Sequence, residues 1–121
     1  MCTITMFNIT SNLLYLCAAV VAGAHRHWVW AVLMTGVTVC SVLYHIGALP
    51  RRWDVAMAVA AFAYGICWFV STGIRNWAAP LFTAAMIACL AIPKPDQEAY
   101  DAIHPWAHVF GGLASITIAS P

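Results

Sequence analysis

Apolar residues run through this chain in long blocks, and its ionisable residues gather mainly in the gaps between them. The pattern predicts five helical segments in a single domain covering residues 1–121. The first runs from about residue 7 to Ala24 and is closed by His25-Arg26-His27. The second runs from about Trp28 to Leu49 and is closed by Pro50-Arg51-Arg52. The third, from about Trp53 to Thr72, is followed by a break around Gly73–Asn76. The fourth runs from about Trp77 to Ile92, and Pro93-Lys94-Pro95-Asp96-Gln97-Glu98 forms a water-soluble loop after it. The fifth runs from about Ala102 to Ser120. A membrane-crossing helix needs about 20 residues, with a range of roughly 17 to 25. All five segments reach that length, the first and fourth by the narrowest margin. The expected fold class is therefore all-α, an integral membrane bundle of about five transmembrane helices.

Composition agrees with this reading. The chain is 64% hydrophobic and 7% charged, where a soluble domain carries roughly a quarter charged residues. Such a chain cannot cover a water-facing surface and is expected to be a multi-pass integral membrane protein. Its net charge of +1 offers no phosphate-neutralising patch, which excludes nucleic acid as a partner. Trp28, Trp30, Trp53, Trp77 and Trp106 fall near the predicted segment ends, as an interfacial aromatic belt would. Small residues such as Ala56, Ala60, Ala61 and Gly65 allow close helix packing in lipid. Arg51, Arg52 and Lys94 share one predicted side and Arg26 and Arg75 the other, which leans toward a cytoplasmic N-terminus. The five cysteines, Cys2 among them, form no C-x-x-C pair and read as free thiols. No basic stretch of the secretory-signal kind precedes the first apolar block, so that block is expected to persist as a helix.

Against this background one set of polar residues stands out: Ser41-x-x-x-His45, then Asp54, then His104-x-x-x-His108. Ionisable groups in a membrane chain are costly and mark function by default. With five alternating spans, the end of the second segment and the starts of the third and fifth lie on the same side at similar depth. The i, i+4 spacing puts Ser41 with His45, and His104 with His108, on shared helix faces. Three neutral imidazoles can hold Zn²⁺ and leave a fourth position open. Asp54 would then act as general base and Ser41 would orient the water or donate to a developing oxyanion. Pro105 is expected in the first turn of the last helix, where its missing N–H costs little. Each residue also has an ordinary use. Ser41 can bond the carbonyl of Val37, His45 can reach the headgroup region, and Asp54 can complement a helix N-terminus. His25 and His27 fall on the opposite side and read as loop residues without a site role, and Tyr44 and Trp106 as packing or interface residues.

The same residues, in the same order, resemble the CREST superfamily of membrane hydrolases, which includes alkaline ceramidases, progestin and adipoQ receptors and myomaker-like proteins. The family pattern reads here as Ser41-Val42-Leu43-Tyr44-His45, Asp54 and His104-Pro105-Trp106-Ala107-His108. The continuation through Val109 to Leu113 looks like a ceramidase-type last helix, and Ser11-Asn12-Leu13-Leu14 is faintly similar to the family's first. The resemblance implies that His45, His104 and His108 bind zinc, with Ser41 and Asp54 beside the water. It implies a zinc-dependent hydrolase of a membrane lipid amide or ester, or a non-enzymatic relative that keeps the metal site for sensing, membrane remodelling or structure. The family bundle has seven helices and this chain shows five, so it is expected to be a minimal form, a fragment, or a homo-oligomer that completes its cavity between copies.

Overall fold

The computed structural model describes residues 3–73 and 76–120, so Cys2 and the topology marker Arg75 lie outside the described residues. Six helical elements succeed one another: α1 (Thr3–Ser11), α2 (Leu13–Ala24), α3 (Trp28–His45), α4 (Arg51–Thr72), α5 (Ala78–Ala91) and α6 (Gln97–Ala119). Asn12 keeps helical dihedrals between α1 and α2. Its N–H bonds the carbonyl of Ile9 at 3.2 Å, a local 3₁₀-type tightening. The two elements therefore form one rod, and the expected five rods are all present.

Among the described residues only three of them, Met6–Ala24, Trp28–His45 and Arg51–Thr72, are by length and composition long and apolar enough to cross a membrane. This corrects the expectation that all five segments reach. The 14 residues of α5 extend about 21 Å, short of a hydrocarbon core of about 30 Å. The 23 residues of α6 are long enough, but its first half holds Gln97, Glu98, Asp101, His104 and His108.

A second correction concerns Pro105. The last helix begins at Gln97, because Asp96 accepts a hydrogen bond from the Ala99 N–H at 2.8 Å and caps it. Pro105 therefore lies well inside the helix and is buried there, leaving the Asp101 carbonyl without its i+4 partner. At the other end of the same loop the Lys94 ammonium donates to the carbonyls of Cys89, Leu90 and Ile92, which closes the C-terminus of α5.

The turn after α3 sets the geometry at this end of the bundle. Gly47 takes φ +77°, a conformation that glycine enters without steric cost. Its N–H bonds the Tyr44 carbonyl and that of Ala48 bonds the Leu43 carbonyl, a Schellman stop directly after His45. Pro50, extended at ψ 143°, then opens α4. A tight reversal thus holds the end of α3 against the first turn of α4, with His45 on one side and Asp54 on the other.

Around the bundle the order is α4, α3, α2, α6, α5, and α4 and α5 do not close the ring. The core is built of small residues, Ala18, Ala22 and Ala61, around Trp30, Met34 and Val37. Trp30 departs from the interfacial expectation: it is 2% exposed and donates from Nε1 to the Ser115 carbonyl at 3.0 Å. The other four tryptophans of the expected belt are half or more exposed. His27 is more than a loop residue. Its ring lies 4.1 Å from that of Trp68, and its Nε2 pairs with the Tyr64 hydroxyl at 3.1 Å, tying the α2–α3 turn to α4. Among the described residues the four cysteines are free.

This packing can be tested at two positions. A Cβ at Gly112 would collide with Leu14 Cβ and touch the Leu14 backbone. Gly112→Ala is expected to push α2 from α6 at a cost of about 1–3 kcal/mol, read as a lower melting temperature in detergent. Burial holds the His27 imidazole below its ordinary pKa of 6.5. The unfolded chain then takes up that proton first. This contribution to stability is whole above about pH 7 and is lost as pH falls through 6.5 toward the folded value. His27→Phe is expected to flatten the melting-temperature profile over that interval.

Candidate metal centre

His45 comes from the last turn of α3, and His104 and His108 from one face of α6. The fold brings them together. One ring nitrogen from each lies within 4.8 Å of the others. The ring centroids of His45 stand 5.7 Å from His104 and 5.6 Å from His108. The sequence-predicted trio is thus a single cluster, half-buried at His45 and His104 and buried at His108.

The orientation of His108 is set from α2. Asn12 is fully buried, and its amide Nδ2 donates to the Asn8 carbonyl at 2.7 Å. A carbonyl only accepts, so the amide cannot be reversed, and Asn12 Oδ1 is left to face His108 Nδ1 at 3.1 Å. That oxygen also only accepts. His108 therefore carries its proton on Nδ1 and presents the bare Nε2 lone pair to the cluster. Tyr100 performs a related task for His104, stacking on its ring with centroids 4.5 Å apart and planes 17° apart.

The cluster fits a metal ion by three observations. His45 Nε2 is buried and has no hydrogen-bond partner among the described residues. A polar atom in that condition costs free energy unless something occupies it. His104 Nε2 and His108 Nε2 stand 2.9 Å apart. Two imidazole nitrogens on a tetrahedral zinc at about 2.0–2.1 Å stand about 3.3 Å apart, so a few tenths of an ångström of opening would admit the ion. The donor set, three imidazoles and no thiolate, suits a divalent ion that keeps an open position.

Ser41 is fully buried one turn before His45, and its Oγ also has no hydrogen-bond partner among the described residues. It does not bond the Val37 carbonyl, unlike Thr35 and Thr38, which bond the carbonyls of Ala31 and Met34. The Asp54 carboxyl lies by Ser41, His45 and Arg51. A second carboxylate near the cluster, Asp101, accepts from Gln97 Nε2 at 2.8 Å and is thereby engaged. Ser41, His45, Asp54, His104 and His108 thus lie in one neighbourhood. His25 and His27 lie at the other end of the bundle, in the walls of a separate hollow.

The open side of the bundle supplies a cavity of about 700 Å³ between α4, α5 and α6. His104, His108 and Asp54 stand at one end, and the remainder is walled by groups such as Val59, Phe62, Ile66 and Ile87. Along α6 the lining reaches from Tyr100 to Ile118, about 27 Å.

Sequence reasoning gives Asn12 only a faint family likeness and misses Tyr100. Their signals are present all the same: Asn8, Asn12 and Tyr15 recur at helical spacing in an apolar segment, and Tyr100 precedes His104 by one turn. No protein-family model, no curated protein and no solved structure matches this chain.

Removal of the Asn12 amide should free the His108 ring and unpair its Nδ1–H. Asn12→Leu is expected to weaken binding of a divalent metal ion at this cluster about 10–100-fold, measured by competition with a chromophoric chelator.

Proposed function

We propose that the protein is a zinc-dependent hydrolase of a membrane lipid amide or ester, and that its likeness to the CREST superfamily reflects membership. In that reading all five rods cross or enter the bilayer, as a multi-pass protein. One observation carries the proposal. Three imidazole nitrogens converge at the end of a long apolar cavity, beside a buried hydroxyl and a carboxylate.

Held by His45, His104 and His108, a zinc ion would supply a Lewis acid with one open position and would lower the pKa of a water there toward neutrality. The rest falls to the chain. Asn12 and Tyr100 hold the imidazoles of His108 and His104 in orientation. Asp54 takes the proton of the attacking water and returns it to the leaving nitrogen or oxygen. The Ser41 hydroxyl, free of any backbone bond, hydrogen-bonds the water or the oxygen that gains charge. The apolar walls receive the acyl chain and keep bulk water from the reacting carbonyl. The cleft between α4 and α5 gives the lipid a sideways path from the bilayer.

Purified protein is expected to carry one zinc per chain and to hydrolyse an N-acyl lipid in detergent. His108→Ala should lose both metal and turnover. Asp54→Asn should keep the metal and lose about 10²–10⁴-fold in rate. Metal-free protein as purified, with no zinc taken up on titration, would sink the reading. Zinc retained with no lipid hydrolysed would favour a sensing or structural use of the site.

A further inference from the structure

Away from the histidine end, four side chains in the cavity wall carry a polar hydrogen: Tyr15, Trp30, Thr83 and Ser115. Three of them have spent it on backbone. Trp30 donates to the Ser115 carbonyl at 3.0 Å, Thr83 to Ala79 at 2.8 Å and Ser115 to Gly111 at 2.8 Å. No hydrogen bond from the Tyr15 hydroxyl to a described residue accompanies these. A hydroxyl proton left unpaired in an apolar wall is costly, which favours an occupant that brings an oxygen to it over plain hydrocarbon.

The position of that hydroxyl is well defined. Tyr15 comes three residues after Asn12 on the same face of α2. Its ring meets that of His108 edge-on, with centroids 6.1 Å apart. Its hydroxyl lies over Gly111, where a Cβ would collide with it and come within 2.8 Å of Met86 Sδ. Only the missing side chain at Gly111 gives the hydroxyl room there. Gly111 is three residues beyond His108, about 4.5 Å further along α6. The free donor therefore sits a few ångströms inward of the histidines, on the side where an acyl chain would run.

We propose that Tyr15 sets the substrate preference of the site. Its hydroxyl donates to an oxygen on the carbon next to the scissile carbonyl, so that 2-hydroxyacyl lipids are taken in preference to their unsubstituted counterparts. This rests on the lipid-hydrolase reading, which puts the scissile carbonyl at the histidines. The inward offset is the reason for the carbon chosen. A hydrogen bond of about 2.7–2.8 Å from a donor placed there reaches an oxygen only a bond or two from the carbonyl carbon. Tyr15 is a specificity residue and touches neither the reacting water nor the leaving group.

The test compares two probes, N-butyl-2-hydroxypalmitamide and N-butylpalmitamide, as competitors for a bound fluorescent lipid. Zinc-loaded protein is used in detergent, in an Asp54→Asn background so that turnover is negligible over the binding measurement. With Tyr15 present, the hydroxylated amide is expected to bind about tenfold tighter, equivalent to about 1.4 kcal/mol. With Tyr15→Phe added, the two probes should bind alike, at the affinity of the plain amide, with zinc content and melting temperature unchanged. A preference that survives Tyr15→Phe, or no preference with Tyr15 in place, overturns the proposal. Because binding is read without turnover, a Tyr15-dependent preference would stand even if no lipid were ever hydrolysed. Hydrolysis without such a preference would sink only this inference.

Discussion

A polar side chain in the apolar interior of a membrane bundle must be answered from within the chain, and Asn12 is answered on both sides. Its amide nitrogen is taken by the Asn8 carbonyl and its oxygen by His108. Breaking either bond would strand a buried polar group, which costs far more than the bond is worth when intact. The pair therefore fixes how α2 lies along α6. Its reach is longer than that, since it also decides which nitrogen of His108 is bare. The cluster, the cavity beside it and the chemistry available there depend on one amide that can point only one way.

The helix packing serves the same end. Gly111 and Gly112 let α2 approach α6 closely enough for Asn12 and Tyr15 to reach the α6 side of the bundle. Small side chains in the core make close approach general, and in lipid such packing is what holds helices together. Where large residues project from α4 toward α5, the rods stand apart and a cavity remains. The molecule is tight where the imidazoles are oriented and open between α4 and α5. Five rods thus supply a cavity beside the imidazole cluster, through this opening between α4 and α5.

Much of the site is legible along the chain. Ser41, His45, Asp54, His104 and His108 stand out because hydroxyl, imidazole and carboxyl groups are rare in apolar blocks, and because counting five rods puts them at one end. Asn12 is harder to read, since a lone asparagine in an apolar segment looks the same whether it caps, kinks or ligates. Its partner is 96 residues away. Pro105 is misplaced from sequence because the polar start of α6 has no apolar periodicity to announce it, and the Asp96 cap acts only once the loop has formed. Trp30 is misread for a related reason. Near a segment end a tryptophan is usually interfacial, and only the Ser115 carbonyl across the core reveals otherwise.

The sequence by itself determined the five rods, the membrane-like composition and the identity of the residues able to hold a metal. These depend on local runs and on spacing within one helix, where neighbours are set by the 3.6-residue turn. The tertiary structure alone decided which nitrogens face one another, that the Ser41 hydroxyl and His45 Nε2 are buried without a hydrogen-bond partner among the described residues, that α5 is too short to cross alone, and that Tyr15 stands in the cavity wall. Each of these depends on groups far apart in the chain. A hydrogen-bond partner or a void is a property of the packed helices together, and no single segment carries it.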